Sequence, residues 1–266
     1  MADRRRALKG GRSSRARRAP AATGPPDDAL IYGRRPVLEH LIAGGATERM
    51  LVGREATKGQ SLSEILTRAE AASIPVRRVP RGELDRLSGG ANHQGVVLVA
   101  GRFDYVDLEH LFHPAAAILI LDGVMDPHNL GSLMRTADGA GFGGVVIRSR
   151  RAAQVTPAVR RVAAGAAEFV PVARVPNATL AVERAQASGL WVVGLDGAAE
   201  QDIWSSRSLE PPLALVLGAE DRGISLKVRE KCDEVVRIPS RGRVGSLNVA
   251  IAGAIAMFEV ARRRGA

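Results

Sequence analysis

Five continuous apolar runs set the tightest limit on what this chain can fold into. They lie at Ala117–Leu121, Gly144–Ile147, Leu190–Leu195, Leu213–Leu217 and Glu234–Ile238, each separated from the next by a helical stretch. A strand with one wet face alternates apolar and polar residues, whereas a strand apolar at nearly every position has both faces covered, as in a parallel sheet layered between helices. Residues 115–266 therefore read as a one-sheet α/β domain. The last helix, from Ser246 to about Arg263, carries Leu247, Val249, Ile251, Ile255, Met257, Phe258 and Val260 on almost every side. That pattern predicts burial all round, part of it against another subunit.

Upstream the pattern is a mixed alternation of short strands and helices. Residues 28–102 alternate strands at Arg49–Gly53, Val76–Val79 and Val96–Ala100 with a helix over Leu62–Ser73 and a helical turn at Gly82–Leu87, which makes a second, small α/β domain. Residues 103–114 read as a linker, because Asp104–His113 is polar and mixed and ends at Pro114. Residues 1–27 read as a disordered basic tail. Within 1–26, eight Lys and Arg face one acid, Asp3, so this segment carries +7 of the net charge of +10. Few apolar groups and many like charges cannot offset the entropy of ordering. The overall balance points to a polyanionic partner, and the one-sided tail to an electrostatic arm that tethers RNA.

The sole cysteine, Cys232, excludes an internal disulfide and a multi-cysteine zinc site, and reads as an inert helix residue of a reducing compartment. No metal site is expected. No apolar run reaches the ~18 residues that span a bilayer, and no apolar segment follows Met1 as in a secretory signal, so the expected location is the cytoplasm, without membrane contact. The Arg-rich start imitates an organelle transit peptide, but it lacks the apolar face of an amphipathic helix.

Parallel α/β sheets bind ligands beyond the carboxyl ends of their strands. Three loops stand there. The first runs from Asp122 through Gly123, Asn129 and Gly131 to Arg135 and Asp138; Gly131 permits a tight turn into a helix, and Asn129 and Arg135 converge on one pocket if the loop folds back. On spacing alone Asn129 reads as a helix cap and Arg135 as a solvated charge. The second, Gly218-Ala-Glu220-Asp-Arg-Gly223-Ile-Ser225, brings backbone and a carboxylate towards a ligand, with Ser225 placed to cap the next helix. The third, Ile238-Pro-Ser-Arg-Gly242-Arg-Val-Gly245-Ser246-Leu247-Asn248-Val249, is pliable and starts the final helix at Ser246 or Asn248. No Gly-x-Gly-x-x-Gly follows the first strand, and no Gly-x-x-x-x-Gly-Lys-Ser/Thr loop exists, which argues against a Rossmann dinucleotide site and against nucleotide hydrolysis.

In this order, the three loops resemble the motifs of the SpoU/TrmH family of RNA 2′-O-ribose methyltransferases: Asn-x-Gly-x-x-x-Arg-Thr-Ala, Leu-Gly-x-Glu-x-x-Gly and Ile-Pro-x-x-Gly-x-x-x-Ser-Leu-Asn-Val. The resemblance spans about residues 29–262, since Ile31-Tyr-Gly33 and Asn92-His-Gln94-Gly95 look like the family's amino-terminal substrate domain. Ala152-Ala-Gln154-Val and Val162-Ala-Ala-Gly165-Ala-Ala-Glu168 resemble the branch that modifies guanosine in the peptidyl-transferase loop of 23S rRNA. Arg241 and Arg243 depart from the pattern by making the third motif unusually basic.

The resemblance implies a carboxyl-terminal SPOUT methyltransferase domain knotted as a deep trefoil, an exception to the rule against threaded chains, behind a small α/β RNA-binding domain. It implies S-adenosyl-L-methionine as cofactor, held by the backbones at Gly218, Ile238 and Leu247, and a homodimer acting on 23S rRNA. Arg135 would be the catalytic arginine, Asn129 would orient it and the ribose, Glu220 would fix the loop or the dimer partner, and Ser246 with Asn248 would complete the pocket. Arg34, Arg35, Arg77, Arg78, Arg81 and His93 are candidate contacts to the RNA backbone, with at least half of them expected to be solvated surface charges instead. Two alternatives remain: a sister enzyme acting on transfer RNA, and a non-catalytic RNA-binding or ribosome-assembly factor.

Overall fold

The computed structural model describes residues 30–57, 59–242 and 246–265; the basic tail and Arg243–Gly245 lie outside the described residues. Two sheets carry the chain. The first has the order β1-β4-β2-β3, with β1 (Leu30–Tyr32), β2 (Thr47–Gly53), β3 (Val76–Val79) and β4 (Val96–Ala100). It is mixed: β4 pairs antiparallel with β1 and β2, while β2 and β3 run parallel. Helices α1 (Arg34–Ile42), α2 (Gln60–Ala71) and α3 (Arg81–Leu87) connect the strands. Alternation divides its core: Met50, Val52, Val96 and Leu98 pack with Leu62 and Ile65 of α2, while Leu51, Val97 and Val99 pack with Leu84 of α3. Both faces are covered, so β4 is apolar throughout.

The second sheet has seven parallel strands in the order β7-β6-β5-β10-β8-β11-β9. They are β5 (Ala117–Asp122), β6 (Gly144–Arg148), β7 (Val172–Val175), β8 (Trp191–Leu195), β9 (Gln201–Asp202), β10 (Leu213–Gly218) and β11 (Glu234–Arg237). The five apolar runs become β5, β6, β8, β10 and β11. Leu119, Leu121, Leu213, Leu215 and Leu217 face α4 (Pro127–Gly139), α5 (Pro157–Ala163) and α8 (Val249–Arg263); Ile118, Ile120, Ala214 and Val216 face α6 (Ala178–Ala187) and α7 (Leu226–Arg229). Burying such side chains from both faces contributes roughly 1.5–3 kcal/mol each. β10 lies between β5 and β8, so the chain returns to the middle of the sheet after its edge has been laid down.

Two expectations are corrected, and a third is described within one chain. Asp104–His113 is bound to the second sheet: Val106 N–H donates to Val172 O at 3.0 Å, and Leu108 and Leu111 are buried in its core. The two leucines sit three apart in a short 3₁₀ turn, too brief a repeat to stand out among charged neighbours. Helix α8 begins at Val249 behind its cap Asn248, one of the two starts expected, and within one chain Ile251 and Phe258 are 54% and 53% exposed. Gly131 lies inside α4 and makes no turn; a β-carbon there would meet Val159 O at 2.7 Å, so glycine is what lets α5 pack this close.

The two halves dock through polar contacts. His40 of α1 is buried, with Nδ1 3.1 Å from Glu168 Oε1 and Nε2 2.9 Å from Thr47 Oγ1, and Arg160 Nε lies 3.5 Å from the same Glu168 oxygen. Arg161 stacks over the Tyr32 ring at 4.0 Å and also bonds its hydroxyl. A β-carbon on Gly165 would sit 2.9 Å from Glu39 Cβ. The Val162–Glu168 motif thus serves, in this fold, to seat the small domain on the large one.

Candidate active site

The loops after β5, β10 and β11 meet through three side chains. Asp126 caps α4 by accepting the His128 N–H at 2.8 Å, and Pro127 occupies the first turn, so the cap is Asp126 and not Asn129. Asn129, 5% exposed, points inward. Its Nδ2 donates to Glu220 Oε1 at 2.7 Å, and its Oδ1 accepts from Asn248 Nδ2 at 3.1 Å. Asn248 Oδ1 then accepts the Ala250 and Ile251 N–H groups at 2.9 and 3.3 Å and caps α8. The polarity of this chain is forced. A carboxylate only accepts, so Asn129 must turn its amide nitrogen to Glu220, which leaves its oxygen for Asn248 and the oxygen of Asn248 for the helix end.

Beside this chain a cleft of about 730 Å³ opens beyond the carboxyl ends of β8, β10 and β11. Gly218, Glu220, Ile238, Ser246 and Leu247 all line it. At Gly218 a β-carbon would lie 1.8 Å from the Gly223 carbonyl carbon, because loop 219–223 folds back on itself through Ala219 N–Gly223 O and Gly223 N–Ala219 O bonds of 3.1 and 2.9 Å. At Gly197, also in the lining, a β-carbon would meet nothing within 4 Å, so the backbone itself borders the cleft. Backbone and short side chains thus form a cradle suited to a flat heterocycle and its ribose.

Arg135 stands apart. It is exposed on α4, does not line the cleft, and among the described residues makes no hydrogen bond or ion pair. Six residues along a helix place it about 120° round from Asn129, so the two do not converge within one chain.

Two acids at strand ends were not singled out from sequence. Asp122 Oδ2 accepts the Ser225 N–H at 2.9 Å, tying the β10 loop to β5. Ser225 makes no side-chain cap to α7. Asp196, after β8, accepts the Ala198 N–H at 2.8 Å and Arg229 Nη1 at 2.7 Å. A lone carboxylate closing an apolar strand is the signal that marks both. Cys232 follows α7 and is not part of a helix; burial, with Asp233 beside it, pushes its thiol up to about 12, and Sγ donates to Val228 O. It supplies no nucleophile.

In the small domain, His93 is buried with Nε2 2.9 Å from Asp85 Oδ1 and Nδ1 accepting the Gly95 N–H at 3.0 Å, which removes it as an RNA contact. Arg34 is spent on Gln94 O and Thr57 O. Arg35, Arg77 and Arg81 pair with Glu39, Glu83 and Asp85, and Arg78 is exposed.

Residues 116–258 match the SpoU rRNA Methylase family, and residues 30–106 match the RNA 2′-O ribose methyltransferase substrate-binding domain. The chain belongs to the SpoU methylase family. YacO of Bacillus subtilis, named as a TrmH family tRNA/rRNA methyltransferase, is 38% identical over 242 residues, covering 88% of this chain and 95% of YacO. An AdoMet-bound rRNA methyltransferase of Sinorhizobium meliloti superposes with a TM-score of 0.76 at 25% identity, over 88% of this chain and 87% of that one. The SpoU methyltransferase AviRb of Streptomyces viridochromogenes, in complex with AdoMet, gives 0.75 at 27% identity, over 88% and 90%. This SpoU methylase is an RNA 2′-O-ribose methyltransferase built from a mixed-sheet substrate-binding domain and an all-parallel catalytic domain. Among the described residues no helix is long and apolar enough to cross a membrane, and no cluster of His, Cys, Asp or Glu could hold a metal ion.

Proposed function

We propose that this enzyme methylates the ribose 2′-hydroxyl of a guanosine in the peptidyl-transferase loop of 23S rRNA, using S-adenosyl-L-methionine, in the cytoplasm. The observation that carries this reading is the Asn129–Glu220–Asn248 chain, which couples the helix bearing Arg135 to both loops of the cleft. The backbones at Gly218, Ile238 and Leu247 hold the adenine and ribose of the cofactor, within the trefoil knot that the family resemblance implies. The cofactor's sulfonium supplies an activated methyl group. A ribose hydroxyl is a poor nucleophile until its proton leaves, so the protein must align it and stabilise the developing oxyanion. Arg135 does so by holding the adjacent phosphate and the oxyanion; a guanidinium with a pKa above ~12 is ill suited to take a proton. Asn129 fixes the geometry, Glu220 its polarity, and Ser246 with Asn248 close the pocket.

The enzyme works as a homodimer. Ile251 and Phe258 leave an apolar strip exposed on α8, and Arg135, apart from its own cleft, is free to complete a partner's. A second reading, methylation of transfer RNA, draws on the tRNA/rRNA name of YacO. Methyl transfer from labelled cofactor to 23S rRNA and to bulk transfer RNA, followed by nuclease mapping, separates the two: label in the peptidyl-transferase region supports the first, label in transfer RNA the second. Absence of transfer to either, with cofactor binding intact, favours a non-catalytic factor.

A further inference from the structure

Next to the cofactor cleft, and sharing Arg222 with it, lies a second cavity of about 480 Å³ at the carboxyl ends of β5 and β6. Four cations line it: Arg148 at the end of β6, Arg151 in the following loop, Arg222 after β10 and Lys227 on α7. They face one carboxylate, Asp122, which already accepts the Ser225 N–H and lies 3.7 Å from Arg148. Arg148 Nε is buried with no hydrogen-bond partner, and Arg151, Arg222 and Lys227 make no hydrogen bond or ion pair among the described residues. Unpaired arginines occur elsewhere on the surface, Arg78 and Arg135 among them, but here three unpaired cations and the buried Arg148 Nε gather in one cavity. Four like charges converging on one carboxylate repel one another unless an anion joins them.

The backbone is arranged to keep them there. Arg151 is held at φ 54°, the left-handed region that a non-glycine residue adopts at a cost. Gln154 Nε2 pins the loop by donating to the carbonyls of Arg148, Ala152 and Ala153 at 2.9, 3.1 and 3.3 Å. The capped N-terminus of α6, at Asn177–Thr179, adds its positive end to the same lining. No aromatic side chain borders the cavity, so it offers nothing on which a base could stack. Guanidinium forks without a stacking platform suit a phosphate.

We propose that this cavity binds a backbone phosphate of the substrate RNA next to the methylated nucleotide, as an anion site distinct from Arg135. The inference rests on the RNA-methylating activity. The test uses the full chain with Arg151→Gln and Lys227→Gln combined, compared with Arg184→Gln and Lys231→Gln, which remove equal charge outside the cavity. The first pair is expected to raise the KM for RNA about tenfold and to make the slope of log affinity against log salt shallower by roughly 0.7–0.9, the loss of one phosphate contact. Its kcat at saturating RNA and its affinity for S-adenosylmethionine stay within twofold of the parent. An unchanged slope and KM, or an equal effect from the comparison pair, would overturn the site. Weakened cofactor affinity with intact RNA binding would overturn it too and assign the anion as the cofactor's carboxylate. A parent enzyme that methylates no RNA would instead sink the underlying activity.

Discussion

Arg135 stands exposed on α4 while Asn129, six residues earlier, is locked to Glu220 and Asn248, so the helix is fixed at the end where the cleft lies and presents a free cation further along. Arg135→Ala is expected to lower methyl transfer by at least about 100-fold, the scale of losing one stabiliser of a developing oxyanion, with cofactor affinity within twofold of the parent; isothermal titration beside the transfer assay checks both, and an active variant counts against the assignment. Gly131 makes a stability claim. Alanine favours a helix interior by about 1 kcal/mol over glycine, but its β-carbon would press on Val159 O, a backbone atom that cannot rotate away, and overpacking costs typically about 1–3 kcal/mol. Gly131→Ala should therefore lose stability in urea unfolding, and a gain would show that α5 moves aside. The sequence motifs singled out Asn129, Glu220 and Asn248, but not that they bond in series, because positions 129, 220 and 248 become neighbours only when three loops close on one another. Asp122, read only as the start of its loop, and Asp196 were given no role for a related reason: one holds the distant Ser225 N–H and the other the distant Arg229 guanidinium.

At the scale of elements, continuous apolar runs were read well where both faces of a strand are buried, as in β5 and β10, and poorly at the edges. β7 is Val-Ala-Arg-Val beside Pro171 and Pro176, and β9 has two residues; neither is long enough to show a period. The carboxyl end of α8 owes its place to Glu259. Arg262 Nε donates to Oε2 at 2.8 Å and Arg263 Nε to Oε1 at 2.7 Å, and Arg263 reaches on to Ser206 O and Ile203 O. The hydrogen bond from Arg262, opposed by burial and reinforced by Arg263, holds the carboxyl down at about 2 against an ordinary 4.5. A carboxylate so depressed stabilises the fold fully above its unfolded value and ceases to do so as pH falls through its folded one. Urea midpoints of the parent and Glu259→Gln should therefore differ at pH 7 and converge between about 4.5 and about 2; a constant gap would place the contribution elsewhere.

For the whole molecule, the two-domain order was legible in the mixed, polar stretch that separates two sets of apolar strands near residue 103, whereas the docking of the domains was not. His40, Thr47, Glu168 and Arg160 come from separate elements and look like ordinary surface residues until they are packed together. Charge is the other property of this scale. Residues 1–26 carry +7 of the net +10, so their deletion is expected to weaken RNA binding mainly at low salt, where the Debye length exceeds the ~10 Å of 0.1 M salt; affinities that fall equally at every salt concentration would speak against an electrostatic arm. The central claim is that the Asn129–Glu220–Asn248 chain and Arg135 serve transfer to a ribose oxygen. Its most direct test is mass spectrometry of nucleosides from 23S rRNA incubated with the enzyme and S-adenosylmethionine. A new 2′-O-methylguanosine, absent with Arg135→Ala, is the predicted result, and a methyl group on a base, or one that persists without Arg135, would contradict it.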